Sequence, residues 1–278
     1  MRNWPLSPYP YPSPAETPFP RPRHISGLAL LRGVFLSTGA VRSAKDLALV
    51  TAGMGFLGMF AFSTLLAYTM IYALGQIVPS ANLVGLYTFT AFPTGEAADT
   101  TWRIVVYGIR FLAFLIVLRI SPVAGYHAAE HKVVNAIEQT GSLDESVVRA
   151  MPKEHARCGT NLLPAMWPML IQFLPDVQLD WGLVVLLTIA AYTFRLYIGW
   201  VLQAVFTTKE PSRKQLLAGI ESGRQLIQRW QTKPEYIEIP AHRLWVRGMP
   251  QVLTGLILGS IGLGYAERLF LALVSYGL

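Results

Sequence analysis

From Leu47 to Gly95 the chain carries no charged side chain. A soluble domain must give water polar side chains along its exposed faces. An uncharged run of this length is instead a solution for lipid, where roughly 20 apolar residues cross the hydrocarbon core. Leu47–Val78 is predicted as one tilted span, broken at Pro79-Ser80-Ala81-Asn82. Composition agrees: 53% of the 278 residues are hydrophobic and 14% charged.

Four more apolar segments extend the pattern: Ile104–Ile120, Leu162–Leu174 with kinks at Pro164 and Pro168, Trp181–Phe206, and Gln251–Val274. The expected fold class is all-α, a polytopic membrane helix bundle of about five spans. Arg110 and Arg195 fall inside spans, and Glu267 with Arg268 interrupts the last. A charge at that depth is costly, so Arg110 is expected to face the bundle, a cavity or an acidic partner, with Arg119 snorkelling at the span end. A small-residue pair, Gly255-x-x-x-Gly259, permits close helix contact.

The net charge of +7 is concentrated in 1–45 and 207–250, whereas loops 79–102 and 175–180 hold mainly acids. The positive-inside rule puts the N-terminus, the 121–161 segment and 207–250 in the cytoplasm and the C-terminus outside. The expected location is the inner, cytoplasmic membrane. No basic run interleaved with aromatics suggests nucleic acid, and membrane lipids are the expected surroundings.

The organisation expected is as follows. Residues 1–24 hold eight prolines spaced by aromatics and form a proline-rich extended arm. Residues 25–45 form an interfacial amphipathic helix with Arg32, Arg42 and Lys45 near lipid headgroups. The membrane bundle takes 46–206, with the site segment 121–161 inserted in it. Residues 207–250 make a cytoplasmic amphipathic helix and linker, the helix lying against the membrane or the site, and 251–278 an additional C-terminal span.

Chemistry is concentrated between Tyr126 and Asn161, which hold three of five histidines and the only cysteine. His127 and His131 are four apart, so a helix stacks both imidazoles on one face. With Glu130 they form H-x-x-E-H, the inverted zincin pattern, in which imidazoles hold zinc and the carboxylate takes a proton from bound water. Asn135 and Glu138 continue that face. Gly141 is expected to stop the helix, and Ser142 with Glu145 to cap a short second one ended by Pro152. His155-x-x-Cys158 is expected to supply a third ligand, or a third and a fourth, through a turn. Two histidines and a carboxylate also suit non-haem iron. One cysteine excludes an internal disulfide.

Four blocks carry a family resemblance: Leu30-Leu31-Arg32-Gly33; Tyr126-His127-Ala128-Ala129-Glu130-His131-Lys132 with Asn135; His155-Ala156-Arg157-Cys158-Gly159-Thr160; and Thr207-Thr208-Lys209-Glu210-Pro211. In that order the chain resembles the YqhQ-like bacterial membrane proteins, an uncharacterised family described as predicted metal-dependent enzymes. The resemblance implies that His127, Glu130, His131, His155 and Cys158 match positions suspected of metal binding. The chain departs from the family at Ala128, where glycine is usual, and at both termini.

Two functions follow as expectations. One is a metal-dependent hydrolase at the cytoplasmic membrane surface, with zinc or iron held by His127, His131 and one or both of His155 and Cys158. Glu130 is its general base, Arg157 or Lys132 steadies an anion, and Asn135 and Glu138 support the ligands. The alternative is a non-catalytic accessory subunit of a larger membrane complex, docked through the proline-rich arm and the last helix. Its histidines would hold a structural metal, a pigment or haem.

Overall fold

The computed structural model describes residues 22, 25–38, 41–43, 46–79, 82–88, 97–172, 179–232 and 245–275, with backbone alone at 97–100, 171–172 and 263–275. The expected extended arm, apart from Pro22, lies outside the described residues, as do Glu96, Asp176 and the side chains of Asp99, Glu267 and Arg268. The described chain is mostly helical. It forms two compact units, one from 60–124 and 154–209, the other from the described parts of 9–59, 125–153 and 210–278.

In the first unit, the second half of α1 (Asp46–Ile77) packs on α2 (Leu83–Thr88) and α3 (Ala97–Ile120). Ala67 and Ile71 of α1, Leu83 and Leu86 of α2, and Val106 and Ala113 of α3 share one buried cluster. The segment 83–102, expected as an external loop, therefore contains a helix, because Leu83 and Leu86 have a core to enter. Arg110 meets aromatic faces inside the unit: its guanidinium carbon lies 4.8 Å from the Tyr87 ring centroid and 5.9 Å from that of Tyr107.

Among the described residues one helix, Asp46–Ile77, is by itself long and apolar enough to cross a membrane, or up to three spans exist if two broken helix pairs each count as one. Two of the expected spans are not single straight helices among the described residues. A 3-10 turn (Gly159–Leu162) leads into α6 (Leu163–Gln172), whose 10 residues reach about 15 Å, half the hydrocarbon thickness. Trp181–Phe206 is divided into α7 (Trp181–Thr193) and α8 (Arg195–Leu202), the latter continued by a π turn (Gln203–Thr207), with a 72° bend between the halves. The bend sits at Phe194 (φ −92°, ψ 7°), and the guanidinium of the next residue, Arg195, stacks 4.0 Å from the Tyr192 centroid and donates to the Tyr192 carbonyl.

The second unit begins with a correction. Residues 26–37 are not an interfacial helix but an antiparallel hairpin, β1 (Ser26–Leu30) with β2 (Gly33–Ser37), turning at Leu31-Arg32 in the register Leu30↔Gly33. Gly27 and Gly33 disfavour helix, and Val34 and Phe35 favour strand. Phe35 and Leu36 are buried, and Leu30 and Phe35 join Leu49 and Ala52 of α1 in a core. The expected all-α class thus gains one two-stranded element.

Helix α4 (Pro122–Gln139) carries the H-x-x-E-H motif and stops before Gly141, which has φ +68°. Its partner α5 (Glu145–Ala150) lacks the expected capping box. Its N-cap is Asp144, without a side-chain cap, and Ser142 Oγ bonds to Asp144 instead. Glu145 cannot reach back because Arg149 and Arg213 both hold its carboxylate. A capping box forms instead at Ser212 and Gln215, opening α9 (Arg213–Gln231).

The apolar face of α9, with Leu216, Ile220, Leu226 and Ile227, is buried in protein rather than turned to lipid. Gly219 and Gly223, poor helix formers, are needed there. A Cβ at 219 would lie 3.2 Å from the Ala129 carbonyl and one at 223 would lie 2.9 Å from Val133, so glycine lets α9 approach α4 closely.

The last helix, α10 (Met249–Ser275), crosses the start of α1 at paired glycines. A Cβ on Gly53 would strike the Val252 carbonyl, and one on Gly255 the Val50 carbonyl. Both obstacles are backbone and cannot rotate away. Gly255→Val is expected to lower stability by about 2 kcal/mol through overpacking. Gly262→Ala, where a methyl meets nothing within 4 Å, is expected to raise it by about 0.5 kcal/mol through helix propensity. Thermal unfolding in detergent checks both signs.

Candidate functional site

The site is built on the polar face of α4. His127 and His131, one helical turn apart, bring their ring centroids to 4.3 Å with planes tilted by 58°. His131 Nδ1 lies 2.6 Å from the Lys153 carbonyl oxygen. A carbonyl only accepts, so Nδ1 carries a proton, and in a neutral ring Nε2 then keeps its lone pair, the tautomer a metal ligand needs.

Two neighbouring side chains hold the same backbone stretch. Lys132 Nζ donates to the Arg149 and Met151 carbonyls at 2.8 Å each, and Asn135 Nδ2 donates to the Pro152 carbonyl at 3.1 Å. With His131, these bind carbonyls 149, 151, 152 and 153 along α4. Lys132 also pairs with Glu210 at 3.2 Å. This buried ammonium is held by the scaffold on three sides. Glu138 accepts from the Ile25 amide at 3.4 Å and so ties the entry of the hairpin to α4.

Glu130 is buried between the histidines in sequence, and the hairpin lies over it. A Cβ on Gly27 would collide with the Glu130 carboxylate, so only glycine leaves that group its place. Burial pushes the Glu130 carboxyl up to about 7, with the charge of His127 opposing. Sequence reasoning missed Gly27. The signal was a glycine two residues before a buried Ala-Leu pair, readable only once the strand was known.

His155 and Cys158 belong to the other unit. There the Cys158 amide donates to the His155 carbonyl at 3.1 Å, making the expected turn. His155 Nδ1 accepts from the Arg157 amide at 3.2 Å, so a neutral ring carries its proton on Nε2 and offers no lone pair outward. Cys158, half-buried, directs its thiol to Thr160 Oγ1 at 3.3 Å. Arg157 is exposed.

Two residues outside the sequence prediction fix this loop. Asn161 Nδ2 donates to the His155 and Ala156 carbonyls, and Gln203, fully buried in the π turn, accepts from the His155 amide at 2.8 Å while donating to Asn161 Oδ1 at 2.7 Å. A π turn places a side chain where a regular helix would not, which is why such turns gather at functional sites. Thr208 closes it by donating to the Gln203 carbonyl, and Lys209 Nζ donates to the Ile120 and Ser121 carbonyls. The Thr207–Pro211 block is thus a fastening of chain to α3.

Comparisons with curated proteins and with solved structures find no match. A family model described as "Protein of unknown function (DUF1385)" matches residues 30–194. That is more than half of the chain. The match takes in Arg32, both motif histidines, Glu130, His155 and Cys158, and the chain belongs to this uncharacterised family.

Proposed function

We propose that the protein is a multi-pass membrane protein carrying a metal centre at the cytoplasmic membrane surface, and that it acts as a metal-dependent hydrolase. The observation that carries the reading is the His127–His131 pair, with rings 4.3 Å apart and the His131 tautomer set by the Lys153 carbonyl. Cys158 is the proposed third ligand in preference to His155, whose Nδ1 is engaged by the Arg157 amide. The clamp on 149–153 ends five residues before Cys158.

Two imidazoles and a thiolate suit zinc, and zinc held there would lower the pKa of a bound water to about 7. Glu130 is the proposed general base: its carboxylate, sheltered by the hairpin, would hold the proton released. Lys132 and Asn135 orient the ligand helix through the carbonyls they hold. The positive-inside pattern and the exposed apolar side chains of α1, such as Leu47 and Phe60, support a membrane setting.

Metal analysis of the detergent-purified protein tests this reading. About one zinc per chain is expected, lost in a His127→Ala, His131→Ala double variant that still melts cooperatively, since removing two of three ligands leaves no closed site. Iron in the same stoichiometry would keep the centre and change its chemistry. A folded protein without metal after zinc supplementation would sink the proposal.

A further inference from the structure

We propose a binding site for an anionic phospholipid in the cleft between the hairpin turn and the first turns of α1. The cleft has a volume of about 470 Å³ and is lined, among the described residues, by Leu30, Leu31 and Arg32 from the hairpin and Ala48, Thr51 and Ala52 from the helix. Its walls are apolar apart from one hydroxyl and one guanidinium. Thr51 Oγ1 already donates to the Leu47 and Ala48 carbonyls, so it offers no proton to a ligand. Arg32 is exposed and makes no hydrogen bond or ion pair among the described residues, whereas nearby Arg42 is taken by Asp46. An uncommitted cation beside an apolar cleft is the complement of a phosphate joined to an acyl chain.

Depth along α1 decides between a lipid and a small soluble anion. The 32 residues of α1 extend about 48 Å, against about 30 Å of hydrocarbon, leaving about 9 Å beyond each edge when the helix is centred and upright. Thr51, five residues after Asp46, lies about 8 Å along the axis, at that edge. Leu31 reaches further: a Cβ on Gly55 would strike its side chain, and Gly55 is about 14 Å along, inside the apolar layer. The hairpin turn therefore puts Leu31 in the hydrocarbon and leaves Arg32 free to rise to the headgroup level, as long basic side chains do at membrane edges. The glycerol and upper acyl chain would occupy the apolar cleft and the phosphate would meet Arg32. This site uses none of the proposed metal ligands.

Native mass spectrometry of the full-length protein, titrated with dihexanoyl phosphatidylglycerol, tests the assignment. One saturable lipid is expected, with dihexanoyl phosphatidylcholine at least tenfold weaker and inorganic phosphate unable to compete. Arg32→Gln is expected to weaken binding about tenfold, the worth of one charge-assisted contact. Arg32→Lys retains most of the affinity, and Thr51→Leu, which fills the cleft, removes binding. The His127→Ala, His131→Ala variant should bind as wild type does, separating this site from the metal reading. Wild-type affinity in both Arg32→Gln and Thr51→Leu, competition by phosphate alone, or release of the protein from membranes by alkaline carbonate would each overturn it.

Discussion

Lys132→Met is expected to destabilise the protein by about 3 kcal/mol, and Glu210→Gln by less than about 1 kcal/mol, although the two residues form one ion pair. The difference lies in what each loss leaves behind. The Lys132 side chain is 6% exposed and that of Glu210 is 66% exposed. Without its ammonium partner, Glu210 returns to water. The Met151 carbonyl, 2.8 Å from Lys132 Nζ in a buried bond, has no such escape, and the Arg149 carbonyl, equally close, is only partly open to water. Methionine keeps the length of the stem and offers no donor, so two acceptors are left unsatisfied, at about 1–3 kcal/mol each. Part of that is offset because a buried ammonium no longer has to be desolvated. Hydrogen exchange at residues 149–153 should rise in Lys132→Met and stay unchanged in Glu210→Gln. Equal destabilisation by the two variants would mean that the ion pair, and not the carbonyl clamp, is what matters.

That clamp marks where sequence reading stops. The H-x-x-E-H pattern was legible because helical periodicity alone fixes which residues share a face, and α4 keeps that periodicity from Pro122 to Gln139. What Lys132, Asn135 and His131 hold was not legible, because their acceptors are backbone carbonyls, and every residue has one. The hairpin failed for a related reason. Residues 25–45 contain apolar side chains compatible with either period, and the choice was made by partners far away in sequence. Ser222 of α9 donates to the Val34 carbonyl and Arg229 to that of Arg42. The glycines of α9 looked like weaknesses in a helix because the helix they accommodate, α4, lies some ninety residues earlier.

Hydropathy has a complementary blindness. It located apolar segments correctly but measures composition, not direction. The break at Phe194 is a change of backbone direction, which leaves the average hydropathy untouched. The Arg110 prediction fared better in part. A cation inside an apolar helix does need compensation, and the rings of Tyr87 and Tyr107 provide it through their negative faces.

The pH dependence of the metal-free protein follows from Glu130. Burial raises its carboxyl from 4.5 to about 7 in the folded chain. Below about 4.5 the group is protonated in both folded and unfolded states, and the stability of burying the neutral acid is fully present. Between about 4.5 and 7 the unfolded chain releases the proton while the folded chain retains it, so stability falls as pH rises. Above about 7 the loss levels off at about 3 kcal/mol. Glu130→Gln places a neutral group of the same shape under Gly27 and removes this dependence. Metal-free wild type and variant should therefore match near pH 4 and diverge upward, with the variant more stable by about 3 kcal/mol at pH 8. A bound cation favours the carboxylate, so metal loading should flatten the wild-type curve toward that of the variant. Denaturant melts of both proteins across pH 4 to 8, with and without zinc, check the sign, and parallel metal-free curves would show that the buried carboxyl is not under strain.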